Sequence, residues 1–225
     1  MLFADRYDIV AVYRNKRPWL AAQDAQFLDP LEPQAELAEN GRPVFAIQAD
    51  LTQPGECERV VDAALSRFDR IDVVVNSAVS SIWAPMLGSD RLVSTGHSQL
   101  VTNVLVPLKL SLIVARQFWQ GREMENRQCN RNVVNVSSIA ALHIYPSSGQ
   151  SLYGASKAAF NHVTGYMAQE LAPIGIRVNA TAPNSFPAIV STERAALSIR
   201  TLDEGADTGT VVVVDGERDE VIKLY

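Results

Sequence analysis

Cysteine is nearly absent: Cys57 and Cys129 are the two in the chain, and they have neither C-x-x-C nor metal-ligand spacing. A disulfide framework is thereby excluded, and no thiolate metal centre is expected. Long apolar runs are missing too. None approaches the length of a membrane span, and Met1 to Arg6 lack the apolar core of a signal peptide, so the expected location is cytoplasmic. Positive charge is in deficit, with a formal net charge of −5 and a sequence pI near 5.2, which argues against a nucleic acid or an anionic membrane held by bulk electrostatics. Repeats, low-complexity tracts and linkers are lacking as well, so residues 1–225 are expected to form a single domain. At 47% apolar residues, the chain has enough to bury a sizeable core.

Short apolar runs alternate with helical patterns. Tyr7 to Tyr13 suits a strand buried on both faces, and Val44 to Ala49, Ile71 to Val75, Asn132 to Val136, Ile176 to Ala180 and Thr210 to Val214 read as further strands. Between them, Cys57, Val60, Val61, Ala64, Leu65 and Phe68 mark one face of a helix, and helical patterns run from about Asp90 to Trp119, up to Leu171, and from Thr192 to Leu202. Gln34 to Asn40 is compatible with a short helix stopped by Gly41. This alternation predicts a parallel α/β sheet. Pro107 cannot donate to the carbonyl of Asn103, so the long helix should distort there.

The chemistry concentrates at Tyr153-Gly154-Ala155-Ser156-Lys157. Residues four apart share a helix face, so the Tyr153 hydroxyl and the Lys157 ammonium can enter one site. A fixed positive charge beside a phenol favours the phenolate and brings it toward proton-transfer use; the pentad alone fits an ordinary helix surface equally well. At the end of the first strand, Arg14, Lys16 and Arg17 could meet a phosphate, since ligands of such sheets sit at the carboxyl ends of strands, or they could form a solvated turn.

Several short motifs occur in order: Asp50-Leu51, Asn76-Ser77-Ala78, Asn103, Val133 to Ser138, the Tyr153 pentad, Arg177 to Pro183, and Thr208 to Gly216. Together they resemble the short-chain dehydrogenase/reductase family, from the first strand to the C-terminus. The resemblance implies a Rossmann-type, doubly wound, three-layer α/β/α fold and hydride transfer between NADP(H), rather than NAD, and a carbonyl or alcohol substrate. Tyr153 would be the general acid/base. Ser138 would orient the substrate oxygen, with Ser137 the alternative. Lys157 would lower the Tyr153 pKa and hold the nicotinamide ribose, and the Asn103 carbonyl would anchor a proton-relay water. For the cofactor, Arg14 would accept the 2′-phosphate, Asp50 and Leu51 would flank the adenine, and Asn76, Ser77, Ala78, Tyr153, Lys157 and Pro183 would complete the path. Family members commonly form dimers or tetramers through their long helices, here with Leu108, Leu112 and Phe118, unless those residues pack on the sheet instead.

The chain departs from the family at its front. Its earliest glycine is Gly41, and Met1 to Arg6 look like the tail of the helix that follows a glycine-rich phosphate turn. The absent strand would lie centrally, between the Val44 and Ile71 halves of the sheet. Val79 and Asn184 replace usual glycines, and the stretch after Pro183 that normally supplies the substrate lid is short. These departures keep two other functions open: a binding or scaffold subunit without a dinucleotide site, and a cofactor-independent acid/base enzyme.

Overall fold

The computed structural model describes residues 3, 6–14, 35–37, 43–87, 90–146, 148–184, 189–216 and 218–225. Lys16 and Arg17 lie outside the described residues. The chain divides into two compact units, Met1–Arg70 and Ile71–Tyr225.

The first unit holds a three-stranded sheet in the order β1-β3-β2, formed by β1 (Ile9–Tyr13), β2 (Ala35–Leu37) and β3 (Pro43–Gln48). β1 runs parallel to β3, from Ile9 opposite Val44 to Tyr13 opposite Gln48. β2 was expected to be part of a helix. It is instead an antiparallel strand on β3, because hydrogen bonding to an existing strand outweighs the weak helical preference of so short a segment. Helix α1 (Glu56–Phe68) follows, burying Cys57, Val60, Val61 and Ala64, which are the residues its periodicity singles out. Val60 packs with Ile47 and Ala49, and Val10, Val12, Phe45 and Leu51 join that cluster.

The second unit is built on a five-stranded sheet, β4-β5-β6-β7-β8. β4 (Val73–Asn76), β5 (Asn132–Val136), β6 (Arg177–Pro183) and β7 (Thr210–Asp215) are parallel, and β8 (Arg218–Lys223) is antiparallel. β8 is a further strand that periodicity did not mark. It closes a hairpin in which Asp215 pairs with Arg218, and Gly216 takes the positive φ of 56° that such a tight connection needs. Among the described residues β1 and β4 are end strands of their sheets.

Register shows which helices cover which face. Asn76, Asn135 and Ala180 are aligned across β4, β5 and β6 and therefore share a face. On that face the Asn76 amide donates to Ser111 Oγ at 3.0 Å and to Asn135 Oδ1 at 2.9 Å, and Asn135 donates to Thr164 Oγ1 at 2.8 Å. Ser111 belongs to α3 (Val106–Val114) and Thr164 to α5 (Ser151–Leu171), so a buried string of polar groups joins two helices through two strands. On the opposite face Thr181 and Ser198 hydroxyls meet at 2.7 Å and Asn132 reaches Asp203 at 2.8 Å, which seats α6 (Thr192–Glu204) there. Helices on both faces of a mainly parallel sheet make the fold the doubly wound, Rossmann-type α/β class.

The helix from Arg91 to Trp119 is not uniform. α2 (Arg91–Leu100) passes into a π turn at Val101–Leu105, then α3, then a second π turn at Ala115–Trp119. The first π turn includes Asn103 and ends just before Pro107, where a distortion was expected. By length and composition this helix passes for a membrane span, but Gln99, Asn103, Ser111, Val114 and Trp119 are all buried within the unit. Phe118 is buried beneath the Arg131 guanidinium, 4.6 Å from its ring centroid, so it does not contribute to an outer subunit face. Leu108 and Leu112 are half-buried. α4 (Glu123–Gln128), not anticipated, is held by Asn126, whose amide bonds the carbonyls of Trp119 and Ile174.

Candidate active site

β5 ends at Val136, and Ser137 and Ser138 continue beyond its carboxyl end. Ser138 is the N-cap of a 3-10 turn over Ile139–Ala141, accepting from the Ala140 amide at 3.2 Å. The Ser138 side chain stands near enough to the Tyr153 hydroxyl to lower its pKa. The Ser137 Oγ is buried without a partner among the described residues. Of the two candidate serines, the structure brings Ser138 to the phenol.

Gly154 makes this meeting possible. A Cβ at that position would lie 2.7 Å from the Ala140 carbonyl oxygen, so only glycine lets α5 come this close to the turn that carries Ser138. Because the opposing atom is backbone, it cannot rotate away. Gly154→Ala should displace the helix, lower turnover by about 10- to 100-fold and cost about 1–3 kcal/mol of stability. Initial rates and thermal melts check this, and a variant with the parent's rate would refute it.

Lys157, one turn beyond Tyr153, is buried, and its Nζ donates to the Val136 carbonyl at 2.8 Å. Burial depresses its pKa to about 8. The expectation that Lys157 lowers the Tyr153 pKa is not met. Burial pushes the phenol above its ordinary value, the Ser138 side chain pulls it part of the way back, and the lysine has no resolved influence. The i, i+4 spacing puts both residues on one face, but the ammonium is directed to a strand-end carbonyl.

Asn103 is completely buried. Its Oδ1 accepts from the Ser80 amide at 2.7 Å, and its Nδ2 donates to the Ser80 carbonyl and to Ser156 Oγ, each at 2.9 Å. Ser156 in turn donates to the Tyr153 carbonyl at 2.7 Å. The Asn103 side chain thus ties the segment after β4 to the helix carrying Tyr153. One turn earlier, Gln99 donates to the Ile82 carbonyl at 2.9 Å, and Ala84 N donates to Gly149 O at 2.9 Å. Sequence reasoning missed Gln99 and Ser156, although Gln99 and Asn103 at i and i+4 on an otherwise apolar helix were a visible signal.

Asn76 is buried and its amide is taken up by Ser111 and Asn135, while Ser77 and Ala78 stand exposed beyond the end of β4. Pro183 closes β6. In the first unit Arg14 is exposed just past β1, with its carbonyl accepting from Gln48 Nε2 at 3.0 Å. Asp50 accepts from the Thr52 hydroxyl and amide at 2.7 and 3.1 Å. The hydroxyl bond does most to hold its carboxyl below the usual range, with a smaller contribution from the Arg14 charge. Arg59, also missed, donates to the Gln48 carbonyl at 2.7 Å and pairs with Glu56, placing a second guanidinium at this strand end. Leu51 packs into the Val60 cluster.

Ser138 beyond the carboxyl end of β5 and Tyr153 on α5 thus lie together, with the buried Lys157 one turn further along the helix. The profile of the family described as short chain dehydrogenase matches residues 21–197, and the chain belongs to that family. It is 36% identical over 144 residues to 1,6-dihydroxycyclohexa-2,4-diene-1-carboxylate dehydrogenase of Pseudomonas putida, covering 62% of this chain and 48% of that one. It is 29% identical over 149 residues to a 3-oxoacyl-[acyl-carrier-protein] reductase of a Synechocystis strain, covering 66% of this chain and 56% of the relative. The chain thus spans about half the length of these two relatives. Among solved structures, a short chain dehydrogenase from Burkholderia cenocepacia in complex with NADP superposes with a TM-score of 0.72 at 25% identity, covering 96% of this chain and 89% of that one. The Pseudomonas aeruginosa RhlG/NADP complex gives a TM-score of 0.67 at 25% identity, covering 77% and 76%.

Proposed function

We propose that the protein is a cytoplasmic NADP(H)-dependent oxidoreductase that interconverts a ketone or aldehyde and its alcohol. The observation that carries this reading is the close approach of α5, which bears Tyr153 and the buried Lys157, to the turn capped by Ser138, where a Cβ on Gly154 would lie 2.7 Å from the Ala140 carbonyl oxygen. Bound NADPH would supply the hydride. The Ser138 and Tyr153 hydroxyls would hold the substrate oxygen, and Tyr153, kept protonated at neutral pH by its raised pKa, would donate a proton to that oxygen as the alcohol forms. Lys157, charged below about pH 8, would supply a donor for a ribose hydroxyl.

The residues fit the two ends of a dinucleotide unequally. Tyr153 and Lys157 suit the nicotinamide ribose, and Arg14 with Asp50 suits the adenosine end, but no glycine-rich phosphate turn occurs ahead of Gly41. NADPH oxidation by the 225-residue chain with a panel of ketones tests the reading. A folded, monodisperse protein that neither binds NADPH nor consumes it would overturn it in favour of a binding subunit. The preference for the phosphorylated cofactor is carried by Arg14, which has no carboxylate neighbour in the preceding position, Tyr13. Arg14→Ala should weaken NADPH binding about tenfold, the equivalent of one charge-assisted contact, and leave NADH within about twofold. Fluorescence titration with both nucleotides measures the difference, and equal losses would remove the assignment.

A further inference from the structure

Resting on the reading that Ser138 and Tyr153 hold a carbonyl oxygen, we infer that the substrate is an uncharged ketone, or its secondary alcohol, with an apolar body. Two connections leave the carboxyl ends of β4 and β5 and lead into α2 and α5; the second carries Ser138 and runs into the first turn of α5, where Tyr153 lies, and the first is tied to it by the hydrogen bond from Ala84 N to Gly149 O. Neither Ser77 to Ser89 nor Asn132 to Ser156 contains a single Asp, Glu, Lys or Arg. In a chain with 20% charged residues, segments of this length would ordinarily carry several. Across both segments, His143 is the one basic side chain. A carboxylate or phosphate placed there would lose its hydration without the guanidinium or ammonium partner that normally replaces it.

These connections instead present apolar groups on a backbone that is held in place. Ser80 is clasped by Asn103, Ile82 by Gln99, and Ala84 by Gly149. Between and beyond these anchors, Trp83 is 55% exposed, Met86 72% and Ile144 95%, with Leu142 and Tyr145 each at 40%. Single exposed hydrophobics are ordinary on a protein surface, but large ones concentrated on two tethered, charge-free loops beside a polar pair describe a binding surface. Two hydroxyls for one oxygen, with apolar surface around them, suit a neutral carbonyl compound.

The test compares 4-methylcyclohexanone with 4-oxocyclohexanecarboxylate, which differ at the far end of the ring. Turnover is followed by NADPH consumption, and binding to the protein alone by saturation-transfer NMR. We expect kcat/KM to favour the neutral ketone by at least about 100-fold and saturation transfer to it alone. Ile144→Arg, at a fully open position, should narrow the kcat/KM ratio by about tenfold or more. Equal or preferred use of the carboxylate would overturn the inference and leave the oxidoreductase reading standing. Binding of the neutral ketone alone, without turnover, would support the inference and count against that reading. Binding of neither compound, or an unchanged ratio in Ile144→Arg, would overturn the inference.

Discussion

Tyr153→Phe is expected to reduce carbonyl turnover by about 100- to 10,000-fold, the range for loss of a positioned proton donor. Its fold should persist. The ring that fills the half-buried position is retained, and Ser138 beside it keeps its bond to the Ala140 amide. At most one hydrogen bond is removed, a net change of about 1 kcal/mol. Circular dichroism and melting should therefore match the parent while steady-state reduction collapses. A phenylalanine variant within tenfold of the parent's rate would end the proposal that this phenol transfers the proton.

Lys157→Met should both remove activity and stabilise the protein at neutral pH. The sign follows from the direction of the shift. The folded-state pKa of about 8 lies below the ordinary 10.5, so the unfolded chain binds the proton more tightly. Below pH 8 both states are charged, and the folded state carries the full penalty of an ammonium removed from water. Between pH 8 and 10.5 the folded state releases its proton first, the penalty shrinks, and stability rises; above 10.5 it is gone. A difference of that size corresponds to about 3 kcal/mol at pH 7. Methionine fills similar space but leaves the Val136 carbonyl without its donor, which offsets about 1 kcal/mol. The net gain of about 2 kcal/mol translates to a Tm about 4–8 °C higher for a chain of this size. Melts of parent and variant at pH 7 and near pH 10 should show the advantage at the lower pH and its loss at the higher. A pH-independent difference, or a variant less stable at pH 7, would contradict it. For the parent protein, the proposed function and the same titration together predict that reduction falls off on the alkaline side near pH 8, as Lys157 loses the charge offered to the ribose.

Short apolar runs announced the strands, and the six expected ones are present with ends moved by a residue or a few, although β1, expected to be buried on both faces, is half-buried along its length and Val75 in β4 is exposed. The additional strands are antiparallel edges. β2 is three residues long and exists through its pairing with β3, and β8 is rich in charge, so hydrophobic periodicity marked neither. The Asp215-Gly216 pair at the end of the valine run was the available sign of a hairpin. At the site, spacing located Tyr153 and Lys157, and the resemblance located Ser138 and Asn103. What spacing could not convey was the direction of each polar atom. Lys157 reaches a carbonyl on the neighbouring strand, and the Asn103 amide is occupied by the Ser80 backbone and Ser156, contacts between residues far apart in sequence.

The π turn at Val101–Leu105 means that the helix accommodates one residue more than a regular spiral of the same rise would need. The surplus residue is absorbed within the bulge, so the regular turns on either side keep their facing. Asn103 inside the bulge and Gln99 one turn before it therefore both meet the backbone of the segment after β4, at Ser80 and Ile82. Residue identity at 103, more than the count of residues, is what this segment must preserve, because replacing that amide would release Ser80 while leaving the rest of the helix as it is.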